Sequence, residues 1–517
     1  MKLLLPLEEF LAVSPNECIE ISLKLNQSST NKTNLQELAR KWKEYQSVKV
    51  LNLYLPSTQI KQEDTFLLAS GISILSNLIS LEISLQQIKN QFLQKFGHAG
   101  GSLIILVQKA YFHYLLPYII SIIQRSQIFS CSNFYYSDIQ NSIGNKGVSH
   151  LSLSLSQCFL LQNLGLYLKQ LQNLILEYAF NKQYYNQLKS SNNIEDEGLC
   201  NLQQLSSCEQ LKYLVLFLDN NQIGSQKDDA SNLALAIIKI KSLQQLNLSM
   251  AQNNVGPQII LQLSAAVKMN QSINTLELNL NDNLIGDEGV ESMASEIIKW
   301  ENIQNLELNL NFNWLRNKSV SCLSKSLGKQ EKLENLLISL QDNQIEDESL
   351  QELGKELSKL QNLKCLNIML NNSQQGLCNL ISQISINNNI QKLNLSSCSD
   401  MLEDTSLNYI GKELQKCKNL QYLTIQFTSD AITDAGVQNL VKKISGCENL
   451  KDLSIQIISD SIEGQQLRQL SNYFSKIKNL NCLDFQIVSS NMDNQSCHQL
   501  KKDLKKIESL ILLQLSF

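Results

Sequence analysis

The stretch LELNLNDNLIGDEG, Leu276 to Gly289, is followed 30 residues later by LELNLNFNWLRNKS, Leu306 to Ser319. Both stretches begin with a Leu-x-Leu-x-Leu run and carry an asparagine at the same offset, Asn283 and Asn313. Alternating leucines are typical of a strand with one buried face. Recurrence at a fixed period of about this length indicates a repeat architecture, so the search for further copies comes first.

The centre of the leucine run recurs along most of the chain, usually at a step of 30 residues. A leucine or isoleucine, and finally Phe485, occupies positions 23, 53, 83, 166, 216, 248, 278, 308, 338, 368, 395, 425, 455 and 485. Each run leads into a turn, an acidic or glycine-bearing loop and a segment with helical apolar spacing, as at Leu350, Leu353, Leu357 and Leu360. Such a unit is too small to bury its own leucines, so neighbouring units must stack.

The sequence therefore predicts an α/β leucine-rich-repeat solenoid, a horseshoe of about 14–16 repeats with a parallel concave sheet and convex helices. The asparagine at the turn recurs as Asn221, Asn253, Asn283, Asn313 and Asn343, and the slot later holds Ser373, Asp400, Asp430, Asp460 and Ser490. A buried turn leaves backbone groups without ladder partners. We expect these short polar side chains to supply the missing hydrogen bonds along the whole array.

The pattern LxxLxLxLxxNxIGDEG, read from Ile273 to Gly289, resembles the leucine-rich repeats of the ribonuclease-inhibitor type. The resemblance covers roughly four fifths of the chain. It implies the solenoid fold but selects no activity, because that family includes inhibitors, GTPase activators, actin-capping proteins and innate sensors. The asparagine stands two residues later here than in the common pattern LxxLxLxxN.

Two stretches interrupt the period. Leucine-rich repeats are predicted at 1–85 and in a main array at 143–517, which contains an inserted loop at 170–192. Between them, residues 86–142 form an irregular apolar insertion or a degenerate repeat. Their apolar run approaches the length of a membrane span, but Lys109, His113 and Pro117 interrupt it. A membrane helix and a segment absent from the mature protein stay open as alternatives.

The composition is that of a folded, soluble chain, with 517 residues, 43% hydrophobic residues and a formal net charge of −4. The 44 Lys and Arg residues are balanced by 48 Asp and Glu residues, which argues against nucleic acid as a partner because phosphate binding needs a concentrated basic face. Pro6, Glu8 and Glu9 cut short the apolar run at the N-terminus, so no secretion signal is predicted.

The chain has 13 cysteines and four histidines but no C-x-x-C pair, so we expect no structural metal. Four cysteines stand six residues before a strand leucine, in a slot that elsewhere holds Ile240, Trp300 or Leu360: Cys158, Cys208, Cys417 and Cys447. A slot shared with large apolar residues is a core slot, in which a reduced thiol packs as a small hydrophobe. This use of cysteine predicts a cytoplasmic protein.

Common catalytic motifs are missing from the sequence. The one glycine cluster, GHAGGS at 97–102, is not followed by Gly-Lys-Ser/Thr, and no G-x-S-x-G, H-E-x-x-H or kinase motif set occurs. Acidic clusters at 193–198, 286–289 and 345–349 recur just before predicted helices, where carboxylates cap N–H groups. We therefore predict a protein that is not an enzyme, with no catalytic residue, cofactor or metal.

Outward strand positions on the concave face are neutral, acidic or apolar, and Lys24 alone among those at the third and fifth strand positions is basic. Binding energy concentrates in a few large apolar or aromatic side chains within polar surroundings. Tyr167, Val215 and Phe217, on adjacent strands, form the first predicted partner-binding cluster, and Leu337 with Met369 forms a second. The alternative for the first cluster is burial under the inserted loop at 170–192.

The sequence thus predicts a non-catalytic, cytoplasmic scaffold that binds a protein or peptide partner on its concave face, with no nucleic-acid or membrane partner. One alternative is a structural subunit of a cytoskeletal or other large assembly. A GTPase-activating protein is another, and Arg316, in the loop after a strand, would be its best-placed arginine. The partner's identity and the oligomeric state are not specified by these patterns.

Overall fold

The computed structural model describes residues 2–6, 10, 19–25, 32–45, 47–55, 62–75, 77–84, 144–156, 158, 160–167, 194–371, 374–399, 401–492, 494–507 and 510–516. The chain divides into two compact units, Met1–Asn254 and Val255–Phe517. The predicted apolar insertion at 86–142 and inserted loop at 170–192 lie outside the described residues.

The first unit alternates strands with helices. Its strands are β1 (Lys2–Pro6), β2 (Glu20–Lys24), β3 (Val50–Tyr54), β4 (Ser80–Ser84), β5 (Asn163–Tyr167), β6 (Tyr213–Phe217) and β7 (Gln245–Ser249). Its helices are α1 (Lys32–Lys41), α2 (Gln62–Ile72), α3 (Gly144–Leu155), α4 (Asp196–Asn201) and α5 (Ser231–Lys239), with 3-10 helices at Trp42–Glu44 and Leu202–Ser207. Each strand pairs in parallel with the next one in sequence.

The second unit repeats the alternation. Its helices are α6 (Pro257–Met269), α7 (Gly286–Ile297), α8 (Asn317–Leu327), α9 (Asp347–Leu357), α10 (Gln374–Ile384), α11 (Asp404–Leu414), α12 (Asp434–Ile444), α13 (Leu470–Phe474) and α14 (Asn494–Leu504), with a 3-10 helix at Gln465–Gln469. Its parallel strands are β8 (Thr275–Asn279), β9 (Asn305–Asn309), β10 (Asn335–Ser339), β11 (Cys365–Leu370), β12 (Lys392–Cys398), β13 (Tyr422–Thr428), β14 (Asp452–Ile458), β15 (Cys482–Val488) and β16 (Leu512–Ser516).

Strand register aligns the predicted leucine centres into one buried row in each unit. Leu23 pairs with Leu53 in the first unit, and Leu278 pairs with Leu308 in the second. All 14 predicted centres lie in strands, and none is more than 4% exposed. The predicted α/β repeat solenoid is confirmed in both units, because stacking gives every strand leucine the neighbours that a single repeat lacks.

The turn asparagines form the hydrogen-bonded row that the sequence predicts. Asn313 donates through Nδ2 to the carbonyl oxygens of Leu280 and Asn311, both at 2.8 Å. The side chain of Asn343 accepts from the backbone N–H groups of Asn313 and Leu315, both at 3.0 Å. Each asparagine thus satisfies its own turn and the turn of the preceding repeat.

The last repeats use a different side chain at the turn. From β12 to β15 the strands lengthen to seven residues, and a serine follows each strand, buried at Ser429 and Ser459 and half-buried at Ser399 and Ser489. Ser429 donates to the Leu402 carbonyl at 2.8 Å and accepts from the Ala431 N–H at 3.2 Å. The prediction that Asp430 and Asp460 continue the buried asparagine row is therefore wrong. The longer strand moves the buried turn position one residue earlier, and the two aspartates form a separate row in which the Asp460 N–H donates to Asp430 Oδ1 at 3.0 Å.

The acidic residues at helix starts also act between repeats. Asp287, at the start of α7, accepts from the Arg316 N–H at 2.8 Å and from the Ser319 hydroxyl at 2.6 Å, at the start of α8. Asp404 of α11 accepts from the N–H and hydroxyl of Thr433, at 2.9 and 2.6 Å, just before α12. The predicted capping of their own helices is wrong for Asp287 and Asp404, because neither α7 nor α11 has a side-chain cap; the carboxylates instead bind the N-terminal end of the helix in the following repeat.

Within the described part of the chain, each helix is too short or too polar to cross a membrane.

Candidate partner-binding face

Each sheet has one face on which side chains keep part of their surface in solvent. Along β8, Leu276 and Leu278 are buried, whereas Thr275, Glu277 and Asn279 are half-buried. This alternation follows from the two-residue period of a strand. The outward face therefore displays three rows of side chains, from the first, third and fifth positions of each strand.

In the first unit, β6 carries large side chains at all three outward positions. Tyr213 is 38% exposed, and Val215 and Phe217 are half-buried. Strand register places Tyr167 of β5 opposite Phe217, and Gly165 opposite Val215, where the glycine leaves one flank of the valine open. The sequence prediction omitted Tyr213 because it considered only the third and fifth strand positions. The same strand alternation, extended to the first position of β6, identifies Tyr213 as outward.

The other side of β6 is polar. Asn247 and Ser249 of β7 are the register partners of Val215 and Phe217. Ser249 is buried and donates to the carboxylate of Asp219. The β6 row, defined as Tyr213, Val215 and Phe217, is thus an apolar line beside hydrogen-bonding groups. The inserted loop proposed as an alternative cover lies outside the described residues.

The second predicted cluster is divided by the register of its strands. Leu337 of β10 faces Glu307 on one side and Asn367 on the other, while Met369 pairs with Ser339. Leu337 is only 9% exposed, and Met369 is half-buried. Leu337 therefore offers little surface of its own, and Met369 lies diagonally across from it on the adjacent strand rather than directly opposite.

An open depression of about 140 Å³ lies around Leu337 on the sheet of the second unit. Its described lining comes from β8 to β11 and includes Glu277, Glu307 and Asn367. At its edge, Asn335 donates to Asn305 Oδ1 at 2.5 Å, and Asn305 donates to Thr275 Oγ1 at 2.9 Å.

Acidic groups on the face are perturbed where they are partly buried. Burial raises the pKa of Glu82 on β4, and a hydrogen bond from Tyr54 of β3 opposes that rise. Among the described outward side chains of the strands, Lys392 at the start of β12 is the basic one. The face has a weakly acidic character and no basic track along its strands.

The four cysteines of the predicted core slot are buried and are not accessible as nucleophiles. Cys158, Cys208, Cys417 and Cys447 are at most 4% exposed. Burial raises the pKa of the Cys158 and Cys417 thiols to about 11, and that of the Cys208 and Cys447 thiols to about 12. These thiols are protonated at neutral pH and occupy the core slot that the sequence predicts.

Arg316 and the possible metal ligands are the remaining side chains that the sequence raised as candidates. Arg316 is exposed at the N-terminal boundary of α8, where its backbone N–H binds Asp287. Within the described residues, no group of three or more His, Cys, Asp or Glu side chains is arranged to hold a metal ion.

Comparison of the chain with protein-family models finds no match. Comparison with curated proteins also finds no match. The similarity of these repeats to other solenoids therefore rests on the spacing of their leucines and asparagines alone.

Proposed function

We propose that this chain is a non-catalytic interaction scaffold that binds a protein or peptide on the open face of its parallel sheet. Its repeats are leucine-rich repeats similar to those of the ribonuclease-inhibitor type, with the sheet on the concave side. The observation that carries the proposal is the β6 row, in which Tyr213, Val215 and Phe217 stand outward on one strand.

The outward apolar row is separate from the buried core of the sheet. The inward residues of the same strand, Leu214 and Leu216, are already at most 1% exposed and supply its core packing. Aromatic side chains surrounded by polar groups are typical anchors of protein interfaces. The row therefore supports recognition of an apolar or aromatic segment of a partner.

The chemistry of the face favours a polypeptide over a nucleic acid. A phosphate backbone is bound by clustered Lys and Arg side chains, whereas the outward strand positions carry only Lys2, Lys24 and Lys392, none of which is the register partner of another. Amide and hydroxyl groups on β7 and on β8 to β11 instead offer hydrogen bonds that match a peptide's own donors and acceptors.

We propose a cytoplasmic location for the scaffold. None of the ten described cysteines forms a disulfide. Free thiols are retained in reducing compartments, whereas secreted proteins of this cysteine content commonly pair them.

Substitution of Phe217 by serine tests the proposal. The full chain is used as bait in chemical crosslinking and affinity capture, followed by size measurement of the complex. We expect partner capture to weaken at least tenfold, because truncating an interface anchor costs roughly 2 kcal/mol or more. The midpoint of thermal unfolding should change little, since Phe217 lies outside the buried row of Leu214 and Leu216 on the same strand.

Tyr422→Ser is the matched control, because Tyr422 occupies the first outward position of β13 and is 39% exposed, close to the 38% of Tyr213. The control should retain capture. Equal losses in both variants, or a large loss of stability in the Phe217 variant alone, would contradict the assignment of the β6 row as the binding site. Co-sedimentation with an insoluble polymer would instead support a structural subunit.

A further inference from the structure

Two exposed apolar side chains follow consecutive turns of the second unit, in the loops that lead from a strand to the next helix. Leu284, after β8, is 58% exposed, and Trp314, after β9, is 60% exposed. Each stands directly after the asparagine of its turn, so the two occupy equivalent positions one repeat apart. The repeats on either side hold the polar residues Asn254 and Gln344 at this position. We call Leu284 and Trp314 the loop-edge pair.

Hydrogen bonds hold the two turns side by side. The Gly286 N–H donates to the Asn313 carbonyl at 3.1 Å, and the Ile285 N–H donates to Asn313 Oδ1 at 3.4 Å. The residues next to Leu284 in sequence are thus bonded to the residue next to Trp314. The loop-edge pair therefore belongs to two adjoining loops on the same edge of the unit.

The backbone of Trp314 is strained in a way that the repeat does not require. Its φ is 60°, whereas Leu284 and Gln344 at the equivalent positions have negative φ. A left-handed backbone is unfavourable for a large side chain, and such strain is concentrated in proteins at ligand-binding segments. The core of this turn is supplied by Leu315, which is fully buried. The exposed indole is therefore not explained by the packing of its own repeat.

Trp314 also differs from the other tryptophans of the chain. Trp42 is 1% exposed and Trp300 is 5% exposed, and the Trp300 Nε1–H donates to the Ser264 carbonyl at 3.1 Å. These two residues serve the core. Tryptophan is the side chain type most typical of interface anchors, so an indole that keeps most of its surface in solvent is suited to bind a partner.

The loops around the pair are acidic. The segments 281–288, 311–318 and 341–348 contain seven acidic residues and two basic residues, Arg316 and Lys318. Lys318 is paired with Glu291 at 2.8 Å, which neutralises one of the two basic charges. The carboxylates that are exposed to solvent are those of Glu288, Asp342, Glu346 and Glu348. An apolar pair with this border is complementary to a basic partner.

We propose that the loop-edge pair binds an apolar side chain of a partner polypeptide that carries lysine or arginine beside it. The inference goes beyond the proposed function, because it places a contact on the strand-to-helix loops instead of the sheet face. The acidic border disfavours an anionic membrane surface. A second copy of this chain, paired symmetrically, would bring the same acidic loops against each other.

The test uses a random 12-residue peptide library displayed on phage and selected on the immobilised full-length chain. Peptides that also bind an immobilised Trp314→Asn variant are removed. Asparagine tolerates a left-handed backbone and occupies the equivalent position at Asn254. Ile386→Asn is the matched control, because Ile386 is 63% exposed and lies in the connection from α10 to β12, away from these loops. Fluorescence anisotropy gives the Kd of each synthesised peptide.

We expect the retained peptides to carry a large apolar residue beside lysine or arginine. Trp314→Asn should weaken their binding at least about tenfold, as loss of an interface anchor does, whereas Ile386→Asn should stay within about twofold. The unfolding temperature of Trp314→Asn should be unchanged or higher, because asparagine relieves the backbone strain. Bound peptide should also protect Trp314 from acrylamide quenching, to which the buried Trp42 and Trp300 contribute little.

Retention of no peptide after removal of the Trp314→Asn binders would overturn this inference. If the removed peptides lose affinity for Phe217→Ser, the proposed function is supported while the loop-edge contact fails. A selection that enriches no peptide at all would overturn both. Retained peptides with acidic residues beside the apolar one, or a lower unfolding temperature for Trp314→Asn, would also overturn the loop-edge contact.

Two further measurements address the other possible occupants of the pair. One is co-sedimentation of the full-length chain with vesicles of phosphatidylcholine and phosphatidylserine. The other is sedimentation velocity of the chain alone, which detects self-association. Vesicle binding or self-association that Trp314→Asn abolishes and Ile386→Asn retains would assign the pair to a membrane or to a second copy, and would overturn the proposal.

Discussion

At the scale of single residues, each turn in the middle repeats imposes a left-handed backbone just before its asparagine. The residues involved have φ between 52° and 57°: Asn220, Gln252, Asp282, Phe312 and Asp342. Asn and Asp tolerate this region, whereas a bulky side chain at positive φ is strained by about 1–2 kcal/mol. Phe312 nevertheless adopts it. The hydrogen bonds of the following asparagine therefore dominate the intrinsic backbone preference of the residue before it.

Replacement of Asn313 by alanine tests the strength of the turn row. The side chain is completely buried and donates to the Leu280 and Asn311 carbonyls. Each backbone group left without a partner costs about 1–3 kcal/mol, so we expect a loss of roughly 3 kcal/mol in the free energy of unfolding. Urea denaturation followed by circular dichroism measures the change.

Two control variants separate the loss of side-chain hydrogen bonds from other effects of Asn313→Ala on stability. Asn281→Ala, two residues before the preceding turn asparagine, should change stability by less than about 0.5 kcal/mol, because none of the described residues hydrogen-bonds to its side chain. Asn313→Asp keeps the size of the side chain but loses both amide donors, and it should be at least as harmful as alanine. A neutral effect of Asn313→Asp would show that shape, rather than donation, is what the turn requires.

Cysteine reactivity gives a second residue-level prediction. A thiol whose pKa is raised to about 12, as in Cys447, is almost wholly protonated at pH 8 and reacts slowly. The exposed Cys398 should be alkylated by iodoacetamide in the folded chain, whereas Cys158, Cys208, Cys417 and Cys447 should react only after denaturation. Site-resolved mass spectrometry measures both rates. Rapid labelling of any of the four buried thiols in the native chain would contradict their assignment to the core.

At the scale of elements, consecutive helices are joined by side chains that reach from one repeat to the next. The Asp404 carboxylate at the start of α11 binds Thr433 before α12. Gly436, in the first turn of α12, makes this approach possible, because a Cβ atom there would stand 2.1 Å from Asp404 Oδ1 and 3.1 Å from the Asp404 backbone Cα. Helix spacing is thus coupled to a carboxylate and a glycine in successive repeats.

Gly436→Ala should destabilise the chain by about 1–3 kcal/mol, the usual cost of forcing extra volume into a packed site. Asp404→Ala removes the clashing oxygen as well as the cap, so the double variant should be less destabilised than the sum of the single variants. Urea unfolding of the wild type, the two single variants and the double variant gives the free energies for this double-mutant cycle. Additive effects would show that the two residues act independently and that the glycine is retained for some other reason.

The sequence predicts the elements well where the leucine period is regular. All 14 predicted strand centres are confirmed, since Leu-x-Leu alternation at a 30-residue step specifies both the strand and its buried face. Strand β16 continues the step at Leu515, which is paired with Phe485. The lengthening of β12 to β15 was not predicted. The residue two positions after the strand centre is buried in the short and the long strands alike, as Leu280 and Phe427 show, so periodicity alone does not show where pairing ends.

At the scale of the whole molecule, the candidate site was less predictable than the fold. The outward position of Val215 and Phe217 follows from strand alternation, so sequence reasoning found them. The grouping of Leu337 with Met369 assumed that residues on adjacent strands are neighbours, whereas strand register places Glu307 and Asn367 beside Leu337. The acceptor-lined depression depends on this register and on how the asparagine amides are oriented, and neither is visible in a one-dimensional pattern.

The last prediction follows from the distribution of charge and concerns nucleic acids, the class of partner that the composition argues against. The chain carries a net charge of −4, and its outward strand positions carry Glu277 and Glu307, whereas the lysines at such positions, Lys2, Lys24 and Lys392, are not register partners of one another. Nucleic-acid binding requires Lys and Arg side chains that displace counterions from the phosphates. We therefore expect no saturable binding of a fluorescently labelled 20-base-pair DNA or 20-nucleotide RNA at 10 µM protein in 50 mM salt, measured by anisotropy.

The reversed-charge variant Glu277→Lys/Glu307→Lys is the informative control for this measurement. It places two basic side chains on adjacent strands, and it should gain weak binding that falls as salt is raised, with a slope that reflects about two phosphate contacts. This gain would show that the assay detects binding at this face and that the acidic pair, rather than the shape of the sheet, excludes phosphate backbones. Salt-dependent binding by the wild-type chain, with a slope of several contacts, would instead locate a basic surface elsewhere on the molecule and reopen nucleic acid as a partner.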